Sequence, residues 1–322
     1  MKVLVTGAAG FIGFHVANAL LARGMDVVGV DTLNSYYDRS LKEARLKQLD
    51  GQANFLFLQI DVSDRDGMTS LVAAHPDIEI VIHLAAQAGV RYSLVDPYSY
   101  VQTNVMGQVV LLEACRALKE LKHFVYASSS SVYGRNQSLP FREDDRVDEP
   151  SSLYAVTKRA GELTASTYAY LYGIPQTGLR FFTVYGPWGR PDMAYYGFAD
   201  AICTGKPVTL YEGANLSRDF TYIDDITAGI LDIMDLPPEK GQARLLNLGG
   251  DRPEHVTALI GLLEKYLGRS ARIELRKRPV ADMEKTWACL EDVQALCGWT
   301  PKVSLEEGVM KFAAWYREFH KI

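Results

Sequence analysis

Tyr154 and Lys158 stand four residues apart in a stretch, 151–172, that predicts a long helix, so their side chains share one helix face. Taken alone, such a pair is ordinary helix surface. Just upstream, however, Ser128, Ser129, Ser130 and Ser131 end an apolar strand run and lead into Val132-Tyr133-Gly134. Serines favour turns by bonding their own backbone, yet four in a row at a strand end is richer than most turns. A phenol ionises at about 10 in water, too high for a base at neutral pH. A neighbouring ammonium favours the phenolate and brings it towards the working pH. The chemistry this pair suits is removal of a proton from a hydroxyl.

The elements that would position these groups begin at the first residue. Met1 to Val5 is an apolar strand run; Thr6-Gly7-Ala8-Ala9-Gly10-Phe11-Ile12-Gly13 follows, then a helical pattern through Leu21. A strand, a glycine-rich turn and a helix N-terminus make a site for a dinucleotide pyrophosphate. The first gap holds two residues rather than the one of the commonest fingerprint. A second strand, Asp26 to Val30, ends in Asp31, where an adenosine ribose diol needs an acceptor. That carboxylate would repel a 2′-phosphate and no Arg follows it directly, which favours NAD over NADP. Asp31 as a plain turn residue is the competing reading.

Strand and helix patterns alternate onward. Leu41–Leu49 and Met68–Ala74 read as helices; Asn54–Ile60, Ile78–Leu84 and His123–Ser128 read as strands. A helix is expected from about Tyr98 to Leu121, with an apolar stripe through Val101, Val105, Val109, Leu112 and Cys115. Asn104 falls mid-stripe, either a satisfied core group or a ligand contact. This order implies right-handed crossovers and an α/β fold of the Rossmann type, a doubly wound parallel sheet. After about residue 186 the alternation stops. The expected division is 1–185 for a nucleotide, with a returning segment at about 219–250, and 186–322 mainly for an interleaved, mixed α/β substrate domain.

Composition bounds the rest. The chain has 322 residues and a net charge of -5, without a basic block, which argues against a nucleic-acid partner. Cys115, Cys203, Cys289 and Cys297 form no close pair, so neither a metal site nor a disulfide framework is expected, and a cytoplasmic setting fits. Met1 leads directly into a strand, leaving no room for a signal peptide, and no apolar run reaches membrane-spanning length.

Together these features resemble the extended short-chain dehydrogenase/reductases, and among them the nucleotide-sugar epimerases. Three stretches are most similar to UDP-glucuronate 4-epimerases: His83-Leu84-Ala85-Ala86-Gln87-Ala88-Gly89-Val90-Arg91-Tyr92-Ser93, the run from Leu179 to Ala194 holding Thr183-Val184-Tyr185-Gly186-Pro187-Trp188-Gly189-Arg190-Pro191-Asp192-Met193, and Arg218-Asp219-Phe220-Thr221-Tyr222-Ile223-Asp224-Asp225. The resemblance implies that Tyr154 is the base, Lys158 also holds the nicotinamide ribose, and Ser129 bonds the reacting hydroxyl. It implies NAD contacts at Gly7, Gly10, Phe11, Ile12, Gly13, Asp31, Asn34, Asp61, Val62, Leu84, Ala85, Ala86, Gln87, Asn104 and Tyr185. Ser130, Ser131, Thr183, Arg190, Arg218 and Asp282 are the implied contacts to a UDP-sugar, and a homodimer through two long helices is implied as well. Inverting a sugar carbon needs its C–H bond broken, and hydride removal to NAD accomplishes this. Related 4,6-dehydratases carry an Asp-Glu pair, and decarboxylases a Glu, where this chain has Ser130 and Ser131. One departure is Val280-Ala281-Asp282 with Thr286, Ala288 and Cys289, where the family has Pro-Gly-Asp, Thr and Ala-Asp; Arg278 as a phosphate ligand is open there. The alternatives are another UDP-hexose 4-epimerase, a UDP-glucuronate decarboxylase, or a non-catalytic NAD-binding sensor that has kept the fold.

Overall fold

A computed structural model describes residues 1–211, 216–277 and 285–322. The first half runs β1 (Lys2–Thr6), α1 (Phe11–Ala22), β2 (Asp26–Asp31), α2 (Arg39–Leu49), β3 (Phe55–Gln59), α3 (Arg65–Ala74), β4 (Ile78–His83), α4 (Pro97–Tyr100), α5 (Gly107–Cys115), β5 (His123–Ser129), α6 (Leu153–Tyr172) and β6 (Gln176–Phe181). The second half runs β7 (Thr183–Tyr185), α7 (Ala194–Thr204), β8 (Pro207–Tyr211), β9 (Ser217–Tyr222), α8 (Ile223–Met234), β10 (Ala243–Leu248), β11 (Pro253–His255), α9 (Val256–Leu267), β12 (Arg272–Arg276), β13 (Lys285–Thr286), α10 (Glu291–Cys297) and α11 (Leu305–His320).

Seven strands form one sheet in the order β10-β6-β5-β4-β1-β2-β3, every pair parallel. Parallel strands covered on both faces read as continuous apolar runs, and β1 shows why: Val3, Leu4 and Val5 are all fully buried. Alternation sends Val3 and Val5 into the core shared with α1, and Leu4 into the core shared with α3 and α5. Chain order reverses between β1 and β4, so a crevice opens there beyond the strands' carboxyl ends. Strand β10 returns to pair with β6 at the sheet edge, and α8 packs on α1. The smaller lobe joins β7, β9, β11 and β13 in one sheet and β8 with β12 in another, under α7, α9 and α11.

The expected helix from Tyr98 to Leu121 is corrected. Between α4 and α5 the chain makes a π-helical turn, Val101–Met106, and regular helix ends at Cys115. The wider turn rotates the buried face, so Tyr100, Asn104, Gly107 and Leu111 point inward while Val101 stands 48% exposed. Val105 and Val109 are only half-buried, so of the expected apolar stripe only Leu112 and Cys115 lie in the core. Helix α8 starts at Ile223, with Asp224 and Asp225 in its first turn. Among the described residues no helix is long and apolar enough to cross a membrane, and no group of side chains could hold a metal ion.

Candidate active site at the crevice

The crevice floor is the glycine-rich turn. Gly7 takes φ +74°, and a Cβ on it would lie 2.8 Å from the Ala85 amide nitrogen; a Cβ on Gly13 would lie 2.0 Å from the Gly7 carbonyl. Only glycines allow the turn to fold under α1 and against the loop after β4. Gly10 caps α1 without a side-chain bond, and no acidic residue occupies the first turn. The helix N-terminus therefore faces the cavity with uncapped N–H groups and positive dipole, which fits a pyrophosphate. Arg45 braces this turn from α2, donating to the carbonyls of Ala9 at 2.9 Å, Trp188 at 2.6 Å and Gly189 at 3.1 Å.

The adenosine end is set by β2. Asp31 accepts from the Leu33 amide at 2.8 Å and the Ala9 amide at 3.3 Å. Lys42, folded back from α2, lies 3.7 Å from that carboxylate and donates to Asn34 Oδ1 at 2.8 Å. Burial pushes the Lys42 ammonium below its ordinary value, against the pull of Asp31. Asp31, Asn34 and Lys42, all in the cavity lining, frame a place for a ribose diol.

The other end lies where β5 and α6 meet. Ser152 Oγ caps α6, accepting from the Ala155 amide at 3.2 Å, and Tyr154 follows in the first turn. One turn on, Lys158 Nζ donates to the Ala127 carbonyl at 2.9 Å. Another turn on, Glu162 accepts from Arg180 Nε at 2.8 Å and from Ser128 Oγ at 2.6 Å. These bonds dock α6 on β5 and β6 and bring Tyr154 and Ser129 into one cavity wall. Burial holds the Tyr154 phenol above its ordinary value, while Ser129 and the Arg190 charge pull it down and Asp192 pushes it up. Burial, aided by Arg190, lowers the Lys158 ammonium to about 8. The Lys158 ammonium lies 6.0 Å from the Tyr154 ring centre, in keeping with their helical spacing, and Arg190 is a second cation in the same cavity wall.

Most expected site residues line one cavity: Gly7, Gly10, Phe11, Ile12, Gly13, Asp31, Asn34, Asp61, Val62, Leu84, Ala85, Ala86, Gln87, Ser129, Ser130, Ser131, Tyr154, Lys158, Thr183 and Arg190. Three do not. Asn104 is buried, its amide accepting from the Gln87 amide and donating to the Gln87 carbonyl and Thr157 Oγ1. It positions the cavity-lining Gln87 rather than a ligand. Tyr185 turns its hydroxyl to the carbonyls of Ser304 and Leu305, and Val184 lines the cavity instead. Arg218 lies outside the lining and donates to the Ser217 carbonyl at 3.0 Å. Asp282, with Arg278, lies outside the described residues. Lys42, Tyr36, Tyr37, Thr103 and Met193 also line the cavity. Of these, the tyrosine pair had a sequence signal, two aromatics in a polar loop just after Asp31.

Residues 3–249 match the model of the NAD dependent epimerase/dehydratase family. The chain belongs to that family. It is 46% identical to UDP-glucuronate 4-epimerase 2 of Arabidopsis thaliana, over all of this chain and 77% of that one. It is 43% identical to a probable UDP-glucuronate 4-epimerase of Rhizobium meliloti, over all of this chain and 98% of that one. Among solved structures, the UDP-glucuronic acid 4-epimerase of Bacillus cereus in complex with UDP-glucuronic acid and NAD superposes with a TM-score of 0.92 at 36% identity, covering 99% of this chain and 100% of that one. The UDP-glucose 4-epimerase of Thermotoga maritima, with UDP-glucose, gives 0.89 at 30% identity, with 99% and 100% covered.

Proposed function

We propose that the protein is an isomerase that inverts C4 of UDP-glucuronate to give UDP-galacturonate, with NAD bound and recycled. The observation that carries the substrate choice is the wall around Tyr154: Ser130, Ser131, Thr183 and Arg190 line it, and the only carboxylates among the described lining residues, Asp31 and Asp61, belong to the adenosine end. A uronate carboxylate finds hydroxyl donors and a guanidinium there. Elimination or assisted decarboxylation would need an acid beside the base, and that place holds hydroxyls.

The chain's own residues divide the work. The glycine-rich turn and the α1 N-terminus hold a pyrophosphate, and Asp31 accepts from the ribose diol. Lys158 stands where the nicotinamide ribose would be held. Ser129 hydrogen-bonds the reacting hydroxyl and Tyr154 takes its proton. The chemistry NAD supplies when bound is reversible acceptance of the C4 hydride, so a 4-keto sugar forms transiently and no net redox change results. Arg218 and Asp282 remain as proposed contacts to the UDP moiety. Residues 1–185 with the returning segment of about 219–250 would hold the cofactor, and 186–322 mainly the nucleotide sugar. Four free thiols suit a reducing cytoplasm.

A homodimer is part of this reading. Val156, Leu163 and Tyr170 repeat every seven residues along α6 and are 44%, 55% and 82% exposed. Val101 and Met106 add to the exposed apolar area on the neighbouring helical segment. A stripe at that spacing is what two antiparallel helix pairs bury against each other.

The test is to add UDP-glucuronate to purified protein, without further NAD, and follow the anomeric signals by NMR. UDP-galacturonate without a UDP-pentose supports the reading. A UDP-pentose means decarboxylation and sinks it. Tyr154→Phe should retain NAD and lose turnover by about a hundredfold or more; a wild type idle on every UDP-hexose offered would favour a non-catalytic sensor.

A further inference from the structure

The loop after β2 and the loop after β7 meet beside the catalytic phenol, and one carboxylate joins them. Asp192 Oδ1 accepts from Arg190 Nε at 2.9 Å, and Oδ2 accepts from Arg190 Nη2 at 2.7 Å. The same Oδ2 accepts the Tyr36 hydroxyl at 3.1 Å. Tyr36 belongs to the loop that carries Asp31 and Asn34, and its ring packs on Tyr92 with centres 4.8 Å apart. Gly89, at φ +95°, admits the contact: a Cβ there would stand 2.5 Å from the Tyr36 hydroxyl oxygen and 3.4 Å from Asp192 Oδ2. Tyr36 and Arg190 line the cavity with Tyr154, and Asp192 backs them. A bidentate guanidinium–carboxylate pair fixes orientation as well as charge.

We propose that Asp192 and Tyr36 are positioning residues for the C4 epimerisation, holding the Arg190 guanidinium in the cavity wall it shares with Tyr154 and tying its placement to the loop that carries Asp31 and Asn34. The proposal rests on the reading above for the role of Tyr154 as base. Beside the larger effects of burial and Ser129, Arg190 favours the phenolate and Asp192 opposes it. Asp192 stays ionised because Arg190 and the Tyr36 hydroxyl outweigh its burial. Tyr36 stays a donor because burial and Asp192 push its phenol up. The other titratable groups facing this cluster are Tyr37 and Tyr92 against the Tyr36 ring, Lys158 on α6, Tyr100 at 6.0 Å edge-on to Tyr154, Tyr195 on α7 and Arg45 on α2.

The sign follows. Asp192→Asn removes the opposing charge and leaves one acceptor for Arg190, so the Tyr154 titration moves to lower pH. The measurement is carbon NMR of NAD-loaded protein labelled at tyrosine Cζ, with the Tyr154 signal identified by its loss in Tyr154→Phe. The expected Asp192→Asn midpoint is lower than wild type by about one unit, and Asp192→Glu restores it. Arg190→Gln is the second variant, informative if Asp192→Asn does not fold, and its expected midpoint is higher than wild type. Tyr36→Phe keeps both charges; its expected signature is a raised KM for the UDP-sugar with the midpoint near that of wild type. An unmoved midpoint in Asp192→Asn, or in Arg190→Gln, overturns the proposal. Turnover of UDP-glucuronate by the wild type is read separately. Its failure refutes the substrate reading and leaves the titration to decide the clamp.

Discussion

Replacing Glu162 by Ala would strip the partner from a buried cation. The Glu162 and Arg180 side chains are each 1% exposed and joined by bonds of 2.8 and 3.0 Å. Ser128 Oγ and Arg159 Nη1 complete the carboxylate's bonding at 2.6 and 2.9 Å. With the carboxylate gone, the hydrogen-bond acceptors left to Arg180 among the described residues are the Tyr133 hydroxyl and the Glu143 carbonyl, each at 3.1 Å. Those are neutral acceptors, so a charge is left buried without a counter-ion, at a cost of about 3–5 kcal/mol. For a chain of this length the unfolding entropy is roughly 0.7 kcal/mol/K, so the melting temperature should fall by about 4–7 °C. Thermal unfolding followed by circular dichroism reads this directly. Glu162→Leu combined with Arg180→Met removes both charges together and should recover most of the loss, because a buried pair replaced by apolar groups is often near neutral. A melting temperature within a degree of wild type for Glu162→Ala, or a double variant below both single ones, would refute the reasoning.

Gly13→Ala forces a methyl onto the Gly7 carbonyl, and protein purified from it should carry little NAD by absorbance and cofactor release; full retention would show that the turn yields. Leu163→Arg, placed mid-stripe on α6, should give a particle of 35.8 kDa by light scattering where the wild type gives twice that; a wild type that is already monomeric ends the dimer reading. His123 is pushed down to about 4 by burial, against its bond to the Met234 carbonyl, so the folded state binds its proton less well than the unfolded state. Its stabilising effect is present above the unfolded value of about 6.5 and is lost as pH falls towards the folded one, by about 1.4 kcal/mol at pH 5.5. The melting temperature of His123→Gln should therefore drop by about 2 °C less than wild type between pH 8 and pH 5.5; equal drops in the two proteins would show that His123 does not carry the effect.

The parts of the site that could be read from sequence are those in which chemistry and period coincide. The glycine-rich turn was legible because strand, turn and helix lie within about twenty residues, and Tyr154 with Lys158 because a helix turns once in about four. Thr183 and Arg190 came through resemblance, and the cavity contains both. Lys42 was hidden because its position depends on how α2 folds back on β2, which no local spacing encodes. Asn104 could not be resolved, since a buried amide looks alike whether it serves a ligand or the Gln87 backbone. Lys158 beside Tyr154 was legible from the helical period, but the direction of its ammonium, towards the Ala127 carbonyl, was not, nor was the arrival of Arg190 in the same cavity wall from a distant loop. The elements the patterns passed over, β7, β11, β13 and α10, are two to seven residues long, too short for a period to register.

The π-helical turn at Val101–Met106 makes the length of its segment matter in a way that the length of a surface loop does not. Deleting one residue there would restore a regular α-helix and gain a better-formed backbone ladder. It would also rotate everything on one side of the cut by about 100° relative to the other. Leu111, Leu112 and Cys115 could keep their places in the core only if Asn104 swung away from Gln87 and Thr157, or the reverse. The segment thus behaves as a ratchet on the gene: substitutions can pass through it one at a time, but a codon lost or gained there must be matched at once by compensating changes on both helical faces.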